Sequence, residues 1–243
     1  MLHMKDVSKV YRTEMVETHA LRNLDLEVNA GEFVAVTGPS GSGKTTFLNI
    51  AGMLEELTGG EYRLDGVDVK SLDDRARSRL RNEKIGFVFQ SFNLIPDLNL
   101  FDNVDVPLRY RKMGRAERRK RIESALERVG LASRMRHYPA ELSGGQQQRV
   151  AIARAIAGDP TLLLADEPTG NLDSAMAREV MQLLEDLNAQ GTIVVIVTHD
   201  PEIAARAQRN VHIVDGVAVD LERAPSLVTS NPKRESDPAR TTV

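Results

Sequence analysis

The sequence predicts an α/β fold: a largely parallel sheet whose strands alternate with helices, with an antiparallel β region at the N-terminus and a helical subdomain inserted in its middle. Three observations carry this. Short apolar, β-type runs recur at Phe33 to Thr37, Ile85 to Phe89, Leu162 to Ala165 and Ile193 to Val197. Segments of helical period separate them, and Asp-Gly pairs mark hairpins near both ends.

The elements follow in order. Leu2 to Val28 reads as short extended segments, alternating at Leu24, Leu26 and Val28, and Ala30-Gly31-Glu32 reads as a tight turn. After the strand from Phe33 comes a glycine-rich stretch, Gly38 to Gly43, and a helix through Phe47, Leu48, Ile50 and Ala51. Asp65-Gly66 divides Tyr62 to Val69 into a hairpin with a type I′ turn. From Phe92 to Pro160 the pattern is helical: Ile122, Ala125, Leu126 and Val129 share a face, and Gly130 stands just past the helix end. A later helix buries Ala177, Val180, Leu184 and Leu187 and stops at Gly191, while Asp215-Gly216 makes a second hairpin. Past Leu221 the chain turns polar, with Pro225, Pro232 and Pro238. The expected division is a domain over 1–221, its helical subdomain at about 92–160, and a disordered tail over 222–243.

Composition narrows the function. Of 243 residues, 41% are hydrophobic and 28% charged, which suits a soluble core-forming chain. The 32 basic and 35 acidic residues leave a net charge of -3, so no global field draws in nucleic acid, and no nucleic-acid partner is expected. The chain has no cysteine, which removes disulfide scaffolds, thiolate metal sites and cysteine nucleophiles together. The longest strongly apolar run, Ile193 to Val197, is far short of the roughly 20 residues that span a bilayer. The chain is not expected to cross a membrane unaided. The basic run Arg115, Arg118, Arg119, Lys120 and Arg121 reads as a solvated helix face, since Glu117, Glu123 and Glu127 stand at pairing distance.

Gly38-Pro39-Ser40-Gly41-Ser42-Gly43-Lys44-Thr45, with Thr46 following, matches the phosphate-binding loop G-x-x-x-x-G-K-[ST] between a strand and a helix, where that motif belongs. Glycines let backbone N–H groups converge on phosphate oxygens, Lys44 reaches the terminal phosphates, and the Thr45 hydroxyl suits Mg²⁺. Asp166 and Glu167 end an apolar strand at the carboxyl edge, where doubly wound sheets bind ligands. Two acids at a strand end are, alone, usually a solvated loop start. Beside a phosphate loop they read as a Mg²⁺ ligand, Asp166, and a base for an attacking water, Glu167.

Leu142-Ser143-Gly144-Gly145-Gln146 opens a further helix. By itself Ser143 reads as a plain N-cap. With Gln147-Gln148-Arg149 following, the segment resembles the signature motif of the ATP-binding-cassette (ABC) superfamily. The resemblance spans approximately Leu2 to Leu221 and implies further roles: Tyr11 stacks on adenine, the alternative being a packed strand tyrosine; Gln90 reaches Mg²⁺ and water; Asn171-Leu172-Asp173 crosses a dimer interface; His199 touches the γ-phosphate. Ser143, Gly144, Gly145 and Gln146 are implied to act on the nucleotide of a second copy.

Gln90 to Pro96, Phe101-Asp102-Asn103-Val104 and Asp166 to Ser174 resemble the lipoprotein-releasing (LolD), macrolide-export (MacB) and cell-division (FtsE) group. That group implies an ATPase on the cytoplasmic face of the inner membrane, dimerising on ATP and driving an integral membrane permease subunit, in some cases with a periplasmic adaptor. ATP and Mg²⁺ are the implied cofactors. The alternative is a soluble mechanical ATPase for repair or cofactor assembly, though no sustained heptad pattern of the repair type interrupts this chain. The loop from Gln90 to Asn103 is the expected docking segment for the membrane subunit, through its apolar residues Phe92, Leu94, Ile95 and Leu98, the alternative for some of them being core residues of the helical subdomain.

Overall fold

The computed structural model describes residues 1–13 and 15–221, so the expected tail over 222–243 lies outside the described residues. In chain order the elements are β1 (Leu2–Arg12), β2 (Glu17–Val28), β3 (Phe33–Thr37), α1 (Lys44–Ala51), β4 (Gly59–Leu64), β5 (Val67–Asp68), α2 (Asp74–Lys84) and β6 (Ile85–Phe89). There follow α3 (Leu100–Arg109), α4 (Arg115–Arg128), α5 (Gly144–Ile156), β7 (Leu162–Asp166), α6 (Ser174–Ala189), β8 (Ile193–Val197), the single turn α7 (Pro201–Ala204), β9 (Arg209–Val214) and β10 (Val217–Leu221).

The strands form an antiparallel sheet in the order β2-β1-β4-β5 and a six-stranded sheet in the order β10-β9-β3-β8-β7-β6, parallel except for β10. The first two strands are longer than the short segments the sequence suggests. They run 11 and 12 residues and stay paired past Asp6 and Asn23, whose left-handed φ values of 51° and 46° accompany register shifts between them. Both predicted hairpins form on left-handed pairs, Asp65 (φ 49°) with Gly66 (φ 80°) and Asp215 (φ 49°) with Gly216 (φ 81°). That backbone matches the twist of the strands they join.

The central strands are apolar throughout because both faces are covered. Phe33, Ala35, Leu163, Ala165, Val194 and Ile196 pack into one core with α3 to α6. Their neighbours Val34, Val36, Leu162, Leu164, Val195 and Val197 pack into a second core with α1 and the antiparallel sheet. Register brings the carboxyl ends of these strands level: Phe89 lies opposite Asp166, Asp166 opposite Val197, and Val197 opposite Val36. The residues that follow each strand therefore meet along one edge.

The expected docking loop divides between the two readings. Ile95 is exposed, but Phe92, Leu94 and Leu98 are half-buried, and Leu94 packs on the helical core. On α4 the basic residues do pair with acids, Arg119 with Glu123 at 2.7 Å and Arg121 with Glu117 at 3.3 Å, while Arg118 turns inward to Asp105 at 3.1 Å.

Candidate active site

The glycine-rich loop is shaped by what crowds it. At Gly38 φ is 147°, and an added Cβ would stand 2.1 Å from the Ile213 carbonyl oxygen; at Gly43 φ is 107°, and a Cβ would stand 2.4 Å from that of Ala20. The loop is thus wedged between β9 and β2, with Pro39, Ser40 and Gly41 on its exposed crown. α1 starts at Lys44 with no side-chain cap, so its first N–H groups and positive dipole end face outward, as an anion site requires. Lys44 Nζ donates to the carbonyls of Gly38 and Pro39, both at 2.8 Å, which folds the ammonium over the crown. Ser42 Oγ is buried and makes no hydrogen bond, a hydroxyl that a phosphate oxygen would satisfy. Thr45 is exposed at the start of the helix, and Thr46 after it is half-buried.

β7 reaches Asp166, one residue further than the sequence suggests. Glu167 then turns into the left-handed region, φ 46°, a conformation that costs a non-glycine residue on the order of 1 kcal/mol or more. Backbone bonds hold it there: its N–H donates to Val197 O at 2.9 Å, and the Gly170 N–H donates to Glu167 O at 3.0 Å. From α5, Gln148 Nε2 donates to the next carbonyl, Pro168 O, at 2.8 Å. The turn aims Glu167 Oε1 at His199 Nδ1, 2.7 Å away. That bond, with the carboxylate charge, raises the His199 pKa. Burial, then the Glu167 charge, raises the Asp166 pKa, while Lys44 opposes both shifts. Lys44, Asp166, Glu167 and His199 thus form one electrostatic unit.

Gln90, just past β6, lies over Gly170, where a Cβ would stand 2.7 Å from its Nε2. Asn171 Nδ2 donates to Gln90 O at 2.9 Å, and Gln90 Nε2 faces Asn171 Oδ1 at 3.5 Å. Asp173 caps α6, accepting from the N–H groups of Ala175 and Met176, each at 3.0 Å. Ser143 caps α5 in a reciprocal box: Gln146 N–H donates to its Oγ at 3.4 Å, and its own N–H donates to Gln146 Oε1 at 3.2 Å. Gly145 lets the helix end approach the first turn of α6, since a Cβ there would stand 2.7 Å from Met176 Sδ, while Leu172, in the loop before α6, stands at ordinary contact distance from Gly144.

Tyr11 is exposed on β1, its hydroxyl donating to Glu55 Oε2 at 2.5 Å and Lys9 Nζ standing 5.0 Å from the ring centre. Burial and the Glu55 bond raise its pKa. Sequence reasoning missed Glu55 and Arg154, and it gave Gln148 no partner. Each acts across a long separation, and only the enclosure of Arg154 by Ala151, Ile152, Ala153, Ala155 and Ile156 signals that this arginine is not a surface residue.

A family model described as ABC transporter matches residues 21–170. The chain belongs to the ABC transporter family. The cassette is 50% identical over 216 residues to an uncharacterized ABC transporter ATP-binding protein, YknY, of Bacillus subtilis, covering 89% of this chain and 94% of YknY. It is 46% identical to the macrolide export ATP-binding/permease protein MacB of Marinobacter nauticus over 90% of this chain, but spans only 34% of MacB. Among solved structures, a dimeric post-hydrolysis state of the ATP-binding cassette MJ0796 bound to ADP and Pi superposes with a TM-score of 0.83 at 46% identity, covering 92% of this chain and 98% of that one. The cassette is an ABC ATPase of the group that includes MacB. Among the described residues, no helix is long and apolar enough to cross a membrane.

Proposed function

We propose that two copies of the cassette close head to tail on ATP, hydrolyse it, and pass the resulting motion to an integral membrane permease at the cytoplasmic face of the inner membrane. The observation that carries this is the convergence of Lys44, Asp166, Glu167 and His199 on one sheet edge, with Glu167 and His199 2.7 Å apart. The dimeric state of MJ0796 and the permease portion of MacB support the assembly. The match to YknY, an ATP-binding protein, over nearly its whole length supports a permease on a separate chain.

In this reading the N–H groups of Gly38 to Thr46 and the Lys44 ammonium bind the ATP phosphates, and Tyr11 stacks on adenine. Glu167 accepts the proton of the attacking water; His199 engages its Oε1, which leaves Oε2 for that water, and steadies the γ-phosphate. Ser143, Gly144, Gly145 and Gln146 of one copy close over the loop of the other, with the Asp173 loop at the contact. The donors fit Mg²⁺: Thr45 hydroxyl, Asp166 carboxylate and Gln90 amide all offer oxygens, and the Asp166 carboxylate makes no hydrogen bond or ion pair with another described residue. Mg²⁺ held there supplies charge neutralisation of the phosphates.

Glu167→Gln keeps size and hydrogen bonding but removes the base. Its turnover should fall by roughly 100-fold or more while ATP binding persists and an ATP-bound dimer accumulates by light scattering. Near-normal steady-state hydrolysis would remove Glu167 from the role.

A further inference from the structure

Just past Gln90 the chain adopts a conformation its residues do not favour. Phe92 and Asn93 are consecutive left-handed residues, φ 59° and 50°. Asparagine tolerates this region, but a bulky aromatic there is an outlier that persists only when its surroundings hold it. What holds it is Arg154, some sixty residues away in the last turn of α5. Arg154 Nη2 donates to Phe92 O at 2.9 Å, and Nη1 donates to Asn93 O. The Phe92 ring also lies against the first turn of α5, where a Cβ at Gly144 would stand 3.7 Å from its Cζ.

Arg154 is half-buried, its pKa is lowered by desolvation, and no carboxylate among the described residues pairs with it. A desolvated cation without a counter-ion is a poor device for stability alone, because an apolar side chain of similar volume avoids the desolvation cost. Its two carbonyl acceptors instead fix the loop two and three residues beyond Gln90, while Asn171 and Gly170 fix Gln90 from the other side.

We propose that Arg154 is a positioning residue that sets where Gln90 stands, by clamping the left-handed Phe92–Asn93 pair to the helix that begins at Ser143. The inference rests on the reading that Gln90 serves the ATP site and goes beyond it, since it makes one side chain the link between that loop and α5. Two residues further on, the exposed apolar Ile95 is held by α3 instead, its N–H donating to Asn103 Oδ1 at 2.8 Å and its carbonyl accepting from Asn103 Nδ2 at 3.1 Å.

The test is a kinetic double-mutant cycle on the full chain with Arg154→Met, Gln90→Ala and the pair. Arg154→Met should lower kcat about tenfold with the ATP KM changed by no more than about twofold, and it should cause no further loss once Gln90 is alanine. If the methionine variant does not fold, Arg154→Lys, which reaches one carbonyl, should give an intermediate kcat whose deficit likewise vanishes in the Gln90→Ala background. The proposal falls if Arg154→Met or Arg154→Lys lowers the melting temperature but leaves kcat unchanged, or if the losses multiply. If Gln90→Ala slows turnover and neither arginine variant does, the positioning role alone fails. If Gln90→Ala leaves turnover at the unaltered level, the role of Gln90 fails, and the positioning role fails with it.

Discussion

His199 stands in solvent, yet its Nδ1 is 2.7 Å from Glu167 Oε1 and its pKa is raised first by that hydrogen bond and then by the carboxylate charge. The sign follows from which state gains the partner. The pair is fully formed below the pKa of histidine in the unfolded chain, and its small, solvent-screened contribution to stability is lost as pH rises through the raised folded value. An NMR titration of the His199 ring in the nucleotide-free cassette should therefore give a midpoint above the ordinary value of about 6.5, and Glu167→Gln should bring it back toward that value. Equal midpoints in the two proteins would show that Glu167 does not govern His199. Sequence placed both residues after apolar strands. What it did not reveal is that Glu167 must enter the left-handed region, φ 46°, to face His199, because that turn depends on Val197 and Gln148, far away in sequence.

Elements were legible where their signals are local. The two Asp-Gly hairpins, the Ser143 cap of α5 and the Gly130 and Gly191 stops each rest on chemistry within a few residues. Pairings were not, because β1 bonds to β4 across more than fifty residues, and no local pattern specifies that register. The segment from Gln90 to Asn103 shows the same limit. It has no periodicity to separate inward from outward apolar residues, so Leu94 and Leu98 could not be told from Ile95. The structure separates them: Leu94 packs on the helical core, while Ile95 is 41% exposed. Ile95→Asp should abolish co-purification with permease-containing membranes and leave the thermal midpoint nearly unchanged. Leu94→Asp should lose about 1–3 kcal/mol of stability in denaturant unfolding, because it places a charge against apolar neighbours. Retained membrane association in a folded Ile95→Asp chain would place docking elsewhere.

At the scale of the whole molecule, the central claim is that one complete site needs two chains. The phosphate loop, Asp166, Glu167 and His199 gather at the carboxyl edge of the parallel sheet, whereas Ser143 to Gln146 begin a helix packed against the loop that precedes α6. The fold class and the order of the motifs were readable because strand, loop and helix alternate in register with them. The level alignment of the strand ends was not, since it belongs to the sheet. A complementation experiment tests the claim most directly. Lys44→Ala and Ser143→Arg should each give an inactive homodimer, because each damages both composite sites. Mixing them makes heterodimers in which one site carries both substitutions and the other carries neither. The measurement is ATP hydrolysis, with single-site trapping of ATP read in parallel, as a function of the heterodimer fraction. A shared site predicts that trapping at the intact site, and with it hydrolysis, rises in proportion to that fraction. Heterodimers that form but neither trap nor hydrolyse ATP would contradict it.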